Sequence, residues 1–568
     1  MLVFGDLATQ ENARATLAKS LSAFQSAMAR HAGLSRHAGL VNAYVETARV
    51  AQGCVDAEFA RMGEDAITPL HAAAIAALRA MARVLEASWR SAFRETGALD
   101  AAALAGLGDC ASDAVVHARV AEGFAFYALY PEACFDDAMR EEDSPVVVGV
   151  RSIGMALAPL LAQSLKASLC LTVRPVGSPF ARECRLAPDL REALHARRDA
   201  RFCVIDEGPG LSGSSLMAVS SALQEVGVER ERITVVASNA SGPGGAAAEA
   251  TRDWWRASRF RILDAAPAIT RALAPCSIIR DMGGGRWRES QANAAAPANR
   301  PYERLKYLVE DRDGLWLAKF SGLGALGRQK AQIARTLADG GFAPVCREER
   351  HGFVLHRWLA DARPITCASR KDVVTRLAGY VAFRARRLPA LATGGASMDD
   401  LFVMAKHNLA NGASAAAAAL LDRFSANLGA LAALERPIAS DNRMHAWEWI
   451  VDPRGAILKC DGEDHCAGHD LVGCRDAAWD VAGAIIEFDI AGDEREDLIA
   501  QFATHGVAIS PKLLDFFLVA YCAFQTGCAH MAAQANAQWP DEAKRWRDQA
   551  KRYLGMLEVM DPDPARSR

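Results

Sequence analysis

Between residues 145 and 239, four short apolar runs rich in β-branched residues alternate with stretches of helical character. They are PVVVGV (145–150), SLCLTVRPV (168–176), FCVID (202–206) and ITVVASN (233–239). A strand that is apolar throughout must be covered on both faces, and strands separated by helices pair in parallel. This part of the chain is therefore expected to fold as an α/β domain around a parallel sheet.

The flanking regions have different patterns. Residues from about 8 to 118 are rich in Ala, Leu and Arg with helical periodicity. HAAAIAALRAMARVLEASW (71–89), for example, sets Arg79 and Arg83 opposite an apolar face. His71 and the acids of this region read as surface or cap groups. QANAAAPANRP (291–301) is a small-residue, Pro-containing linker. Beyond it, LKYLVEDRDGLWLAKFSG predicts two antiparallel strands turning at Asp313-Gly314, GFVLHRWL predicts another strand, and most of the remainder is helical. The chain has 568 residues, and domains settle at roughly 100–200 residues each. The expected organisation is multidomain: an N-terminal helical module (1–120), an α/β parallel-sheet domain (121–290) and a C-terminal α+β domain (301–568).

The formal net charge of -3 provides no polybasic footprint, so a nucleic-acid partner is not expected. The opening MLVFGDLATQENARATLAKS lacks a basic segment followed by an apolar run, which argues against a signal peptide. The apolar stretch 513–533 carries Asp515, Gln525, Thr526 and His530 and reads as a core helix, not a membrane span. The fourteen cysteines sit in core-like contexts and read as reduced thiols, so the expected location is the cytoplasm.

VIDEGPGLSGSSL (204–216) is the segment that most directly suggests chemistry. Asp206 and Glu207 end a strand, where α/β sheets bind ligands, and carboxylates there can hold ribose hydroxyls or organise Mg²⁺. Gly208, Gly210 and Gly213 allow a tight turn close to a phosphate. Ser212, Ser214 and Ser215 add hydroxyl donors ahead of a helix N-terminus. A P-loop is disfavoured because Ser214 stands where its lysine would be, and a dinucleotide fingerprint would not carry the acidic pair. A purely structural strand–turn–helix remains open.

The segment resembles the diphosphate-sugar motif of type I phosphoribosyltransferases, with one extra residue in the loop. The resemblance spans about 140–285. It implies that Asp206 and Glu207 hold the ribose hydroxyls and that Gly210, Leu211, Ser212, Gly213, Ser214 and Ser215 surround the 5′-phosphate. It also implies a diphosphate loop at Arg151, Ser152, Ile153 and Gly154, and a covering loop carrying Arg174, Arg182 and Arg185. Arginine suits phosphate because its planar fork pairs with two oxygens.

In the C-terminal part, Lys319 lies on a predicted strand (WLAKFSG) and Asp461 follows another (ILKCDGEDH). A strand lysine for nucleotide phosphates and a later acid for Mg²⁺ are the minimum for nucleotide phosphotransfer. Together with CRDAAWDVAG, which carries Asp476 and Asp480, they resemble aminoglycoside- and choline-type phosphotransferases of the protein-kinase-like fold. That resemblance implies Asp441 as catalytic acid, Asp461 as metal ligand and Lys319 as nucleotide-binding residue. No Gly-rich loop is evident ahead of Lys319. GLGALG (322–327) follows it, which is similar to the nucleotide site of ATP-grasp enzymes. Cys460, His465, Cys466, His469 and Cys474 match no standard zinc spacing and read as buried thiols and imidazoles beside a Mg²⁺ site.

The expected function is phosphoribosyl transfer between phosphoribosyl diphosphate and an acceptor, or the reverse, coupled to an ATP-dependent phosphotransfer module. Mg²⁺ and ATP are the expected cofactors. The partners are small molecules: phosphoribosyl diphosphate or a ribose phosphate, and a nucleotide. Two alternatives stand beside it, a regulatory sensor of the same ligands without turnover and a C-terminal ATP-grasp-type ligase.

Overall fold

The computed structural model describes all residues except Asp6, 138–142, Leu211, 245–246, 291–294, Glu348 and 561–568. The N-terminal part is helical, as its periodicity predicts, with helices Ala13–Met28, Leu34–Met62, Pro69–Arg90 and Ala101–Cys110. Asn12 caps the first helix, and Thr68 caps the third with Pro69 in its first turn. A two-stranded antiparallel sheet, Ala8–Asn12 with Val115–Arg119, closes the bundle.

The four apolar runs form a parallel sheet, extended by a fifth strand. Its spatial order is Leu169–Val173, Val146–Val150, Phe202–Ile205, Ile233–Ala237, Arg259–Ile262. Helices Pro188–His195, Ser214–Glu225 and Glu249–Arg256 cover one face. Helix Gly154–Ser164 and the N-terminal helices cover the other. The strand order reverses at Val146–Val150, the first of these strands in the chain, which is flanked in the sheet by the second and third. A crevice therefore opens where the loops after Val150 and Ile205 diverge. Gly149 and Gly154 let the Gly154–Ser164 helix start against the sheet: a Cβ on Gly149 would lie 2.5 Å from the Gly154 carbonyl oxygen. Gly154, expected at a ligand, is thus required by packing.

The C-terminal part contains a four-stranded antiparallel sheet in the order Ser277–Asp281, Lys306–Asp311, Gly314–Phe320, Phe353–Arg357. The predicted hairpin is present, but it turns at Arg312-Asp313, one residue earlier than expected, with Gly314 opening the returning strand. The expected boundary at 290–301 is displaced, because Ser277–Asp281 belongs to this sheet. In place of a free linker, its described part lies against the C-terminal helix Pro540–Met560. The Ala298 amide donates to Glu542 Oε2 at 3.0 Å, and the Trp546 indole donates to the Ala298 carbonyl at 3.1 Å. Small residues here serve close docking, which composition alone does not distinguish from flexibility. Helix Gly324–Asp339 packs beside the sheet. Helices Arg370–Arg387, Met398–Gly412, Ala477–Glu487 and Pro511–Ala535 build the larger lobe around Trp449 and Trp479. Pro511–Ala535 is mostly buried in that core, consistent with its polar residues.

The three parts are not separately packed. One core joins Tyr44 and Leu78 of the helical part, Leu157 beside the parallel sheet, and Phe320 and Leu355 of the antiparallel sheet. At its centre Glu132 accepts from His37 at 2.8 Å and from His351 at 2.6 Å, all three side chains being buried.

Candidate functional site

Strand Phe202–Ile205 delivers Asp206 and Glu207 to the crevice, where both are half-buried. Glu207 Oε2 accepts the Gly123 amide at 2.8 Å, and Asp206 Oδ1 accepts the Glu207 amide at 2.8 Å. Burial pushes Asp206 up to about 7. Burial, together with the charges of Glu122 and Asp206, pushes Glu207 up to about 8. Two acids with raised proton affinity at a strand end can meet hydroxyl groups as they stand, and would hold a cation only after losing their protons.

The glycine- and serine-containing loop after Glu207 leads directly into helix Ser214–Glu225, with Gly213 at φ +66° as its N-cap. Ser212 Oγ and Ser214 Oγ are 3.0 Å apart, and Ser214 Oγ donates to the Pro179 carbonyl at 2.7 Å. Pro179 lies in the turn of hairpin Val176–Ser178/Ala181–Glu183, so that hairpin covers the helix start. Gly210 and Ser215 lie in the same loop and helix start, whereas Leu211 lies outside the described residues.

The arginines expected to face the ligand are differently engaged. Arg151 is buried and ion-paired with Asp65 and with Asp56, the latter at 3.1 Å. Arg174 also pairs with Asp56, and its Nη1 donates to the Arg151 carbonyl at 2.8 Å. Asp56 and Asp65 come from the N-terminal helical part, so these two guanidiniums tie that part to the crevice. Ser152 is half-buried in the loop after Arg151, and Arg182 donates to the Pro175 carbonyl at 3.2 Å within its own hairpin.

The second constellation centres on Lys319. Its Nζ lies 2.6 Å from Asp461 Oδ1, 2.9 Å from Glu463 Oε1 and 2.6 Å from Asp464 Oδ2. Burial opposes the lysine charge, but Asp461, Asp464 and Glu463 outweigh it and hold Lys319 well above the usual lysine range. Burial likewise opposes the Asp461 charge, and Lys319, His465 and Lys306 outweigh it, leaving Asp461 well below the usual carboxylate range. Lys330, on helix Gly324–Asp339, lies 3.4 Å from Asp464, and burial pulls it down to about 8. The helix beside this lysine thus carries a second cation, and the balancing acids come from the Asp461 loop.

Asp461 is common to two groups of potential metal ligands, Glu448–Asp461–His465 and Asp461–Glu463–Asp464. Both Asp464 carboxylate oxygens are buried without a hydrogen-bond donor in line, and so is His465 Nε2. Clustered carboxylate oxygens, neutralised here by lysine ammonium groups, are hard ligands of the kind Mg²⁺ takes.

Asp441 is fully buried. Tyr380 donates to its Oδ2 at 2.5 Å, Lys459 Nζ lies 3.6 Å away, and Arg384 Nη1 lies 4.0 Å away. Arg384 also donates to the Gly462 carbonyl at 2.6 Å, which links the Asp441 and Asp461 loops. Asp480, on the buried helix Ala477–Glu487, accepts the backbone amides of Asp441 and Asn442. Asp476 caps that helix, accepting from Ala478 at 2.9 Å. Cys466 and Cys474 are buried thiols, and no potential metal group among the described residues includes a cysteine.

Several neighbouring features escaped sequence reasoning. Gly283, Gly284 and Gly285 follow the first strand of the antiparallel sheet and therefore precede Lys319, where no glycine loop was expected. The GLGALG run is a packing device: Gly322 (φ +112°) would place a Cβ 2.6 Å from the Ala125 carbonyl oxygen, and the Gly324 amide donates to Asn42 at 2.7 Å. An ATP-grasp reading of those glycines is not supported by this burial. The segment around the short helix Glu122–Phe126 touches both constellations. Gly123 donates to Glu207, while the Ala125 carbonyl accepts from Lys330 at 3.4 Å.

No protein-family profile matches the chain, and no curated protein sequence does. Among solved structures, choline kinase LicA from Streptococcus pneumoniae superposes with a TM-score of 0.34 and 14% identity, over 45% of this chain and 89% of that one. A choline/ethanolamine kinase family protein from Mesorhizobium loti gives 0.31 and 16%, over 46% and 87%. Macrolide 2′-phosphotransferase MphH from Brachybacterium faecium gives 0.27 and 14%, over 46% and 89%. Superpositions this weak assign no family, and the functional reading rests on the residues themselves.

Proposed function

We propose that the chain is a cytoplasmic enzyme with two small-molecule sites. One is a nucleotide-dependent phosphotransfer site at Lys319 and Asp461, the other a phosphoribosyl diphosphate site at Asp206 and Glu207. The observation that carries the first is the buried Lys319 amid three carboxylates, with Asp480 holding the Asp441 loop alongside. In this reading Lys319 releases its acids to Mg²⁺ and turns its ammonium to the nucleotide phosphates. Asp461, with Asp464 or Glu463, would hold the ion, whose role is to neutralise charge on the transferred phosphoryl group. Asp441 would receive the acceptor proton, and Tyr380 and Lys459 fix its carboxylate.

In the crevice, Asp206 and Glu207 would lose their protons to bind a Mg²⁺-chelated sugar diphosphate, while the Ser212–Ser215 turn takes the 5′-phosphate. The pair would then steady positive charge developing on the ribose. A second reading, a sensor without turnover, is favoured by one observation: Arg151 and Arg174 are neutralised by Asp56 and Asp65 and not free for diphosphate. Release of labelled diphosphate from phosphoribosyl diphosphate separates the two. Mg²⁺-dependent release that is abolished by Asp206→Asn/Glu207→Gln supports the enzyme. Saturable binding without release supports the sensor.

A further inference from the structure

A cavity of about 410 Å³ opens between the segment after helix Glu122–Phe126, the Gly283-Gly284 turn and the C-terminal helices. That size suits a small metabolite, since ligand pockets run from roughly 300 Å³ upward. Its charges do not balance. Asp281 is neutralised by Arg286. Glu303 is saturated by the Gly285 amide, the Trp287 indole and the Lys306 ammonium, each at 2.7 Å. Two lining arginines, Arg300 and Arg304, have no carboxylate partner among the described residues. Their guanidiniums are held on aromatic rings instead, Arg300 4.8 Å from the Trp539 ring centre and Arg304 4.6 Å from that of Phe126. Arg304 also donates to the Phe126 carbonyl at 3.4 Å.

A ring holds a guanidinium through its quadrupole without supplying a counter-ion, which leaves N–H groups at the guanidinium edge able to pair with an anion. Two such forks facing one half-enclosed cavity are an arrangement for a phosphate group. From these residues we infer that the cavity binds the phosphate of a small metabolite, with Arg300 and Arg304 as its ligands. The site depends on neither half of the proposed function. Its phosphate has two possible sources, the tail of a nucleotide reaching across from Lys319 or a separate phosphate monoester. Lys306, paired in register with Lys319 on the neighbouring strand, holds Glu303 of the cavity wall and also interacts electrostatically with Asp461.

The test is calorimetric titration of the full-length protein with ribose 5-phosphate and, separately, with ATP and Mg²⁺. Wild type is compared with Arg300→Gln/Arg304→Gln and with the charge-conserving Arg300→Lys/Arg304→Lys, each first checked for a cooperative melt. Loss of one site, or affinity at least tenfold weaker, for ribose 5-phosphate in the Gln pair assigns a phosphate monoester. The same loss for ATP alone assigns the nucleotide tail. In either case the Lys pair should retain intermediate affinity. Unchanged binding of both probes in the Gln pair, or no binding of either probe to wild type, overturns the inference.

Discussion

The Asp480 carboxylate accepts the backbone amides of Asp441 and Asn442, at 2.8 and 2.9 Å, from within a fully buried helix. It holds a turn in which Asn442 adopts φ +68°, so the position of Asp441 is set by a residue remote in sequence. Asp480→Ala would leave two buried amides without acceptors, a cost of about 3 kcal/mol or more. Denaturant unfolding should show that loss. Asp480→Asn, which keeps one carbonyl oxygen, should fall between Ala and wild type.

The acidic pair of the crevice should make stability depend on pH in a definite direction. Asp206 and Glu207 hold their protons up to about 7 and about 8 in the folded chain, whereas the unfolded chain releases them near pH 4. Their contribution is therefore complete below about pH 4 and is lost as pH rises through 7–8. Asp206→Asn/Glu207→Gln stays neutral throughout. Melting temperatures from pH 5 to 8.5 should fall less steeply in this variant, which should be the more stable protein at pH 8.5. An equal fall in both proteins would mean that the pair ionises freely.

Glu542 anchors the segment after the 291–294 stretch, since it pairs with Arg288 and accepts the Ala298 amide. Glu542→Ala should release that segment and raise the rate of limited proteolysis between 295 and 300 several-fold, with fragments near 300 and 270 residues. Wild type should be cut there slowly. Rapid cutting of both proteins would show that the docking is not held by Glu542.

Ser212→Leu should weaken ribose 5-phosphate binding, because it removes a hydroxyl donor worth roughly 1.5–3 kcal/mol to a charged phosphate. Gly213→Val is less informative than its position suggests. The backbone there has φ +66°, and a Cβ would stand 3.2 Å from side-chain carbons of Pro243 and Thr251, so the substitution would strain the fold itself. Affinity in Ser212→Leu within a factor of two of wild type would place the phosphate elsewhere.

Four of the five parallel strands were legible because strands covered on both faces are largely apolar, whereas the edge strand Arg259–Ile262 (RFRI) alternates charged and apolar residues and was not. Asp206 and Glu207 were legible as charged residues at the end of such a strand. The hairpin at 311–314 was legible from its turn residues, though its turn lies one residue earlier, at Arg312-Asp313. Long-range pairings were not legible. Ser277–Asp281 finds its partner Lys306–Asp311 only across a glycine- and arginine-rich insertion, so the glycines ahead of Lys319 were assigned to the wrong unit. Arg151 and Arg174 read as phosphate ligands because their neutralising partners, Asp56 and Asp65, lie far upstream in a helical region without local sign of that contact. Glu463 and Asp464 stood beside Asp461 in the sequence, but their common approach to Lys319 depends on how two loops fold together.

The central claim, nucleotide binding at Lys319 and Asp461, is tested most directly by titrating ATP into the full-length protein with and without Mg²⁺. Lys319→Met removes the counter-charge of three carboxylates, so it should also destabilise the apo protein, by about 3–5 kcal/mol. The comparison should therefore be made well below the melting temperature of the variant, with circular dichroism confirming its fold. The account predicts saturable, Mg²⁺-dependent ATP binding by wild type, its loss in Lys319→Met, and loss of the Mg²⁺ dependence in Asp461→Asn. No binding to wild type at millimolar ATP and Mg²⁺, or equal affinity in a folded Lys319→Met, would contradict it.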